Sequence, residues 1–363
     1  MNYKKFFWSF IGISGVALGI IAGLNYQLDY YGVFHADRLY VRSNAFNDRF
    51  SKMKHLLSNQ HFKEYDSYLF GTSRVQKTDP RVTGQKTYNL GIPAGMTEEY
   101  LQQLQLLLAH GAKINTIYIG LDQLAYSYKY QPQALYTDDM TKDYDVYLKS
   151  LVNPSVIGKL VSYSKQDVNI ALVHTTGMSK IPDFAEKNIE LNPEEYVKSE
   201  KFQRPDTWEF DANEFERCIN NLKMIKELCD RNNIEMKAFF NPQHMTTYLA
   251  YDMDRMIQFK KELAQICPFW DFSGVNYVTT NNYFWFETSH PRPFICDKML
   301  DIVSGNNQIT WVPDFGIYVT PENVDAVCEK AVREREAYDP NHEQWIPSIE
   351  ERAIITKRVN YPW

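Results

Sequence analysis

The stretch Tyr68-Leu69-Phe70-Gly71-Thr72-Ser73-Arg74 decides how the rest of this chain is read. Apolar residues that run into a glycine turn describe a buried strand with an abrupt stop, and a serine sits on the turn beyond it. Far downstream comes Glu287-Thr288-Ser289-His290, an acid and a histidine three positions apart. A serine hydroxyl is a poor nucleophile until a histidine takes its proton and an acid orients that histidine. In this order the two fragments supply a triad for hydrolysis or acyl transfer. In that triad Ser73 is expected as the nucleophile, His290 as the base and then the acid, and Glu287 as the orienting carboxylate.

Outward from that turn, strand and helix signals alternate. Apolar runs at 65–70, 87–90, 114–119, 234–240 and 268–272 read as strands. Residues 98–110 place Leu101, Leu104 and Leu108 on one helical face, with Gly111 as the stop. Residues 213–231 repeat Phe215, Cys218, Leu222, Ile225 and Cys229 at helical spacing, and helices are also expected over 44–59, 252–266 and 294–303. Thr320-Pro321-Glu322 reads as a Thr cap with proline at the first helical position, opening a last helix to about 337. Such alternation implies an α/β fold: a mostly parallel sheet with helices on both faces, in three layers. Residues 123–212 break the rhythm. They are rich in tyrosine and carry Pro132, Pro154, Pro182, Pro193 and Pro205, so they are expected to be an insertion, helical near 145–165, over the carboxyl edge of the sheet. Residues 338–363 read as an extended tail.

The N-terminus speaks to compartment. Lys4 and Lys5 precede nineteen uncharged, mostly apolar residues at 6–24. As a helix that run is about 28 Å long, close to the hydrocarbon thickness of a bilayer. Basic residues on the short N-terminal flank favour the cytoplasm, so a single-pass anchor over 1–29 with residues 30–337 as an extracytoplasmic domain is expected. The competing reading is a cleaved signal peptide, whose apolar run is usually shorter and ends in a small-x-small site. Here the run continues into Asn25-Tyr26-Gln27 without a clear Ala-x-Ala. The net charge of −6 and the lack of basic runs argue against a nucleic-acid partner. Eight scattered histidines offer no zinc spacing, so neither metal nor cofactor is expected. The five cysteines, Cys218, Cys229, Cys267, Cys296 and Cys328, read as buried small residues rather than a disulfide framework.

Ligands of α/β sheets bind at the carboxyl ends of the strands. Ser73 and Arg74 follow the first strand, Asn89 and Gly91 end the second, and Gly120 and Asp122 end the third. The Ser73 and Gly91 N–H groups are candidate oxyanion donors. Asn89 reads as a substrate contact or a turn cap, and Arg74 as an anion ligand or a structural partner. Asn241-Pro242-Gln243-His244 ends another strand at the same edge and reads as pocket lining or as loop chemistry.

At these residues the chain resembles the SGNH/GDSL superfamily of esterases and acyltransferases. Gly71-Thr72-Ser73 matches the block that carries the nucleophile, and Gly91 in Tyr88-Asn89-Leu90-Gly91 matches the oxyanion glycine. Gly120-Leu121-Asp122-Gln123 matches the Gly-x-Asn-Asp block in part, and Glu287-Thr288-Ser289-His290 the Asp-x-x-His block. Within the superfamily the chain is similar to membrane-anchored members, the D-alanyl transfer protein of teichoic-acid modification and the alginate O-acetylation proteins. It shares with them the anchor, the entry Asp29-Tyr30-Tyr31-Gly32-Val33-Phe34, and Ser-His-Pro-Arg-Pro at 289–293. The resemblance implies a serine-dependent O-acyltransferase or esterase acting on a cell-surface glycopolymer, served by a membrane-bound O-acyltransferase. Two departures bear on mechanism. The family's oxyanion asparagine is Asp122 here, and a carboxylate there repels an oxyanion unless it is protonated or turned away. The acid is Glu287 rather than aspartate, which leaves Asp271 as an alternative. A simple deacetylase and a non-catalytic accessory subunit are the rival readings.

Overall fold

The structure is a computed structural model that describes residues 3–35, 40–41, 47–127, 129, 135–158, 171–180, 183–307, 309 and 315–356. The chain divides into two compact units. One comprises Met1–His61, Pro132–His174 and Lys180–Pro182, the other Phe62–Gln131, Thr175–Ser179 and Asp183–Trp363.

In the first unit the helix Tyr3–Leu28 runs for 26 residues and contains an 18-residue stretch of mean hydropathy 1.9, none of it buried. It outlasts the expected run because Asn25, near its end, is held: its side-chain amide donates to the Leu151 and Asn153 carbonyls at 2.8 and 3.0 Å. Just beyond, Asp29 adopts φ 45°, and its carboxylate accepts from the N–H groups of Val33, Phe34 and His35. The helix Asp48–Ser58 starts at Asn47, whose side chain accepts from the Phe50 N–H. Phe50 is fully buried, edge-on to Tyr136 and Tyr147. Helix was expected near 145–165; it lies at Met140–Leu151, and 159–170 falls outside the described residues. A short antiparallel pair joins Tyr40–Val41 to Ala171–Val173.

The second unit is built on a six-stranded sheet. Its strands are β1 (Ser67–Gly71), β2 (Thr87–Asn89), β3 (Thr116–Leu121), β4 (Glu235–Phe240), β5 (Phe269–Asp271) and β6 (Ile317–Val319). They lie in the order β2-β1-β3-β4-β5-β6. The first five are parallel, as expected, and β6 runs antiparallel to β5. Nothing announces β6 in the sequence, since three residues with two exposed carry no period. β1 and β3 are buried along their whole length, the pattern of central strands covered on both faces.

The helices follow the expected periodicity. Ala212–Arg231 buries Phe215, Cys218, Leu222, Ile225 and Cys229, and starts at Asp211, whose carboxylate caps the Asn213 and Glu214 N–H groups. The helices Thr97–Ala109, Met253–Ile266 and Pro293–Ser304 also fall where they were read. Two readings need correction. The last long helix starts at Val324, because Thr320-Pro321-Glu322 forms a turn whose Thr320 carbonyl accepts from the Asn323 and Val324 N–H groups. The region read as an extended tail contains the helix Ile349–Ile355, closed by a Ser348–Glu351 capping box and buried through Ile355, while 357–363 lies outside the described residues. All five cysteines are buried free thiols.

Register sets the position of the serine turn. Gly71 of β1 pairs with Gly120 of β3. A Cβ on Gly71 would stand 2.5 Å from Val75 Cγ2, and one on Gly120 would stand 2.6 Å from Val75 Cγ1. The paired glycines therefore let Val75 fold down onto the strand ends and turn the chain sharply at residues 72–75.

Candidate active site

The turn after β1 presents Ser73 at the carboxyl end of the sheet. It is tied back by the Val75 N–H to the Thr72 carbonyl, at 3.1 Å, and by the Cys296 thiol to the Arg74 carbonyl. Thr72, Arg74, Val75 and Gln76 are buried, and Ser73 is half-buried. Among the described residues no group accepts from the Ser73 N–H.

Histidine and acid come from one loop between β5 and the helix Pro293–Ser304. Trp285 and Pro291 form an isolated antiparallel bridge, and the Phe286 N–H donates to the His290 carbonyl at 2.9 Å. The intervening residues 287–289 form its tip. Trp285 anchors the loop from below, fully buried with its indole N–H on the Val278 carbonyl. At the tip, Glu287 Oε2 accepts from the Ser289 N–H at 2.7 Å and Glu287 Oε1 lies against His290 Nδ1. On the other side of the imidazole, His290 Nε2 stands 2.8 Å from Ser73 Oγ. The order is hydroxyl, imidazole, carboxylate, each within hydrogen-bond reach of the next, and the contact to the carboxylate fixes the tautomer with the proton on Nδ1.

Electrostatics suit a base. Burial lowers the His290 pKa, the Lys77 and Arg74 cations lower it further, and the Glu287 carboxylate opposes them, leaving a net downward shift. The imidazole is therefore neutral at pH 7 and free to take a proton. Burial pushes Glu287 up, but the His290 hydrogen bond, the Ser289 N–H and Lys77 outweigh it and keep the acid ionised. Lys77 stands with its ammonium 4.8 Å from the centre of the Phe286 ring. Burial holds it below the usual lysine range. Beside Glu287 opens a cavity of about 500 Å³ walled by Lys201, Arg204, Asp206 and Thr288. Lys201 rests 3.5 Å from the Tyr196 ring centre, and burial, opposed by Glu287, brings it down to about 8.

The remaining residues singled out from sequence serve the scaffold. Gly91 does not offer its N–H to an oxyanion, because it donates to Asn89 Oδ1 at 2.8 Å. Asn89 is not a substrate contact: fully buried, it donates to the Val75 and Thr78 carbonyls and so staples the serine turn to β2. Asp122 is turned away from Ser73. Its carboxylate accepts from Thr72 Oγ1 at 2.6 Å, from the Leu124 N–H and from Asn241 Nδ2, and pairs with Arg74 Nη1 at 3.2 Å. Arg74 is not an anion ligand at the surface. It is buried, and its Nη2 donates to Asp206 Oδ2 and Ser289 Oγ, both at 2.9 Å. Asp271, the alternative acid, is committed to Lys260 at 2.7 Å and to Ser273. His244 caps the following helical turn by accepting from the Thr246 N–H.

Asp206 and Ser289 were missed as functional neighbours. Ser289 donates to Asp206 Oδ2 at 2.6 Å while it accepts from Arg74, so the three form a closed set behind His290. Asp206 lies in a proline-rich stretch without periodicity, and only its position after Pro205 marks it as a loop residue. Compared with known proteins, the chain matches no family model, and no curated protein matches its sequence.

Proposed function

We propose that the chain is an SGNH-like serine-dependent O-acyltransferase or esterase acting outside the cytoplasm on a cell-surface glycopolymer. The observation that carries this reading is the 2.8 Å approach of Ser73 Oγ to His290 Nε2, with Glu287 on the opposite ring nitrogen. Two segments 217 residues apart in sequence meet in that geometry. His290 takes the Ser73 proton as Oγ bonds to the acyl carbonyl carbon, and the carbonyl oxygen becomes an oxyanion facing the Ser73 N–H. His290 then returns the proton to the leaving oxygen as its bond to carbon breaks, and an acyl-Ser73 ester remains. In the second half a glycan hydroxyl, or water in the esterase form, gives its proton to His290 and takes the acyl group, and Ser73 regains its proton. In this reading the helix Tyr3–Leu28 is an uncleaved anchor with Lys4 and Lys5 on the cytoplasmic side. A membrane-bound O-acyltransferase supplies the acyl group, and the parallel sheet is the centre of the family's three-layer fold.

Incubation of the full-length protein in detergent with an activated acetyl ester tests the chemistry: the Ser73 peptide should gain one acetyl group, and Ser73→Ala should gain none. One observation favours a second reading, a non-catalytic accessory subunit of the acyltransferase complex. Gly91 and Asp122 are both committed elsewhere, so the Ser73 N–H faces the oxyanion without them. No adduct on the wild type, together with full glycan acylation in cells carrying Ser73→Ala, would establish the accessory role.

A further inference from the structure

The helix Met140–Leu151 exposes apolar side chains along one line. Met140, Tyr144, Leu148 and Val152 follow at intervals of four and are 64%, 56%, 50% and 39% exposed. On a helix with 3.6 residues per turn such positions stack along one side. Another side is spent on packing: Asp143 and Ser150 are buried, and Tyr147 packs against the rings of Phe34 and Phe50. Lys142 and Lys149 stand well out into solvent on the side away from the apolar line, paired with Asp139 and Asp145. A soluble helix does not keep such a stripe bare, because each side chain left in water forgoes roughly 1.5–3 kcal/mol of burial.

What covers it follows from where the helix is tied. Its last carbonyl, Leu151, and the Asn153 carbonyl just beyond accept from the side-chain amide of Asn25. Asn25 lies near the C-terminal end of Tyr3–Leu28, the helix with the length and hydropathy to cross a bilayer. The amide satisfies a C-terminal carbonyl of the first helix and fixes it to the exit point of the second. An apolar line opposite a charged face, held at the level where a chain leaves the hydrocarbon, has the pattern of a helix lying in the headgroup region.

We propose that Met140–Leu151 is an interfacial helix that rests its Met140–Tyr144–Leu148 face on the outer lipid leaflet, a second membrane contact besides the anchor. The inference rests on the anchor reading given above. The apolar side chains enter about 5–10 Å into the headgroup and acyl boundary while Lys142 and Lys149, on the far side of the helix, stay in water. The domain is then held by two points rather than swinging on one helix.

The five native cysteines are buried, so a single introduced cysteine takes a thiol-reactive fluorophore selectively. Full-length protein in lipid nanodiscs would carry the label at Y144C, L148C, K142C or I13C, and lipids with a nitroxide near the headgroup or deep in the chain would quench it. The expected result is at least about twofold quenching at Y144C and L148C by the shallow nitroxide, little at K142C, and preference for the deep nitroxide at I13C. Quenching at I13C without quenching at Y144C and L148C would overturn this inference alone. No quenching at I13C would overturn the anchor and this inference with it. Labels at Y144C and L148C that are shielded from water but untouched by either nitroxide would assign the face to a protein partner or a second copy, and would overturn the lipid contact.

Discussion

Arg74 donates from Nη2 to Ser289 Oγ over 2.9 Å, so the residue after the serine holds the residue before the histidine. The same guanidinium pairs with Asp122 beyond β3 and with Asp206. The buried cation is balanced by a buried Asp122 and a part-exposed Asp206, and the loss of Arg74 strands Asp122. The set also fixes where Ser73 and His290 meet, because each is one covalent link away from it.

Arg74→Met should therefore lower stability by about 3–5 kcal/mol, since Asp122 would stay buried without its cation. Arg74→Met with Asp122→Asn should recover part of the loss, because the neutral amide no longer needs a counter-charge. Urea midpoints of the three proteins measure this. A double variant no more stable than Arg74→Met would show that the pair is not the unit that matters.

If the triad acts as one, Ser73→Ala and His290→Gln should each lower hydrolysis of an activated ester by about three orders of magnitude or more, and the double variant should fall no further. Glu287→Gln should cost less, because the amide still contacts His290 Nδ1 without stabilising the imidazolium. Steady-state rates decide between a shared unit and independent contributions: additive losses would speak against the triad.

The pH dependence should report His290. Its pKa lies below the ordinary 6.5, so the rate should climb with pH through a midpoint under that value and then level off. Lys77→Met removes one of the cations that disfavour the imidazolium, and the midpoint should move to higher pH. An unchanged midpoint would mean that burial and Arg74 set the shift without Lys77.

How far the sequence carried can be seen at particular residues. The parallel strands carry short apolar centres such as Tyr68–Phe70 and Ala238–Phe240, so β1 to β5 were legible, with ends displaced by a residue or two. The edge strand β6 was not, because it has neither length nor alternation. That Ser73, His290 and Glu287 meet was legible, because the chemistry of a triad limits which side chains to look for. The tasks of Gly91, Asn89, Asp122 and Arg74 were not. Short motifs give the residue type at a strand end, whereas the direction a buried polar side chain faces depends on partners such as Asp206 and Asn241 that are remote in sequence.

Asn89→Ala separates the scaffold role from the catalytic one. The substitution removes the acceptor of the Gly91 N–H, and it also removes the side-chain donor on the Val75 and Thr78 carbonyls, of which Val75 keeps the Thr78 N–H at 3.0 Å. Each buried group left without a partner costs about 1–3 kcal/mol. The expected outcome is a clear drop in melting temperature and slower ester hydrolysis. Faster hydrolysis at unchanged stability would instead mark Asn89 as a plug on an oxyanion donor.

His244 offers a test of the fold away from the triad. Burial lowers its pKa to about 4, although the hydrogen bond to Asn282 opposes the shift. Its Nδ1 accepts from the Thr246 N–H, so Nε2 carries the proton and donates to Asn282 Oδ1 at 2.7 Å. The imidazolium has no place there, since the Nδ1 position would then present a donor to a donor. In the unfolded chain the ring titrates at its ordinary 6.5. Above that pH neither state binds the proton and stability is unaffected. Between pH 6.5 and 4 the unfolded state binds it and the folded state does not, so stability falls as pH falls, by up to about 3 kcal/mol in total. His244→Asn keeps a side chain that accepts from Thr246 and removes the titration. It should be less stable than the wild type at pH 8, by about 1 kcal/mol for the lost Asn282 bond, and the gap should close or reverse near pH 4.5. Urea midpoints of the two proteins across that range give the difference directly, with every other titrating group in common. Parallel curves would show that His244 is protonated equally in both states.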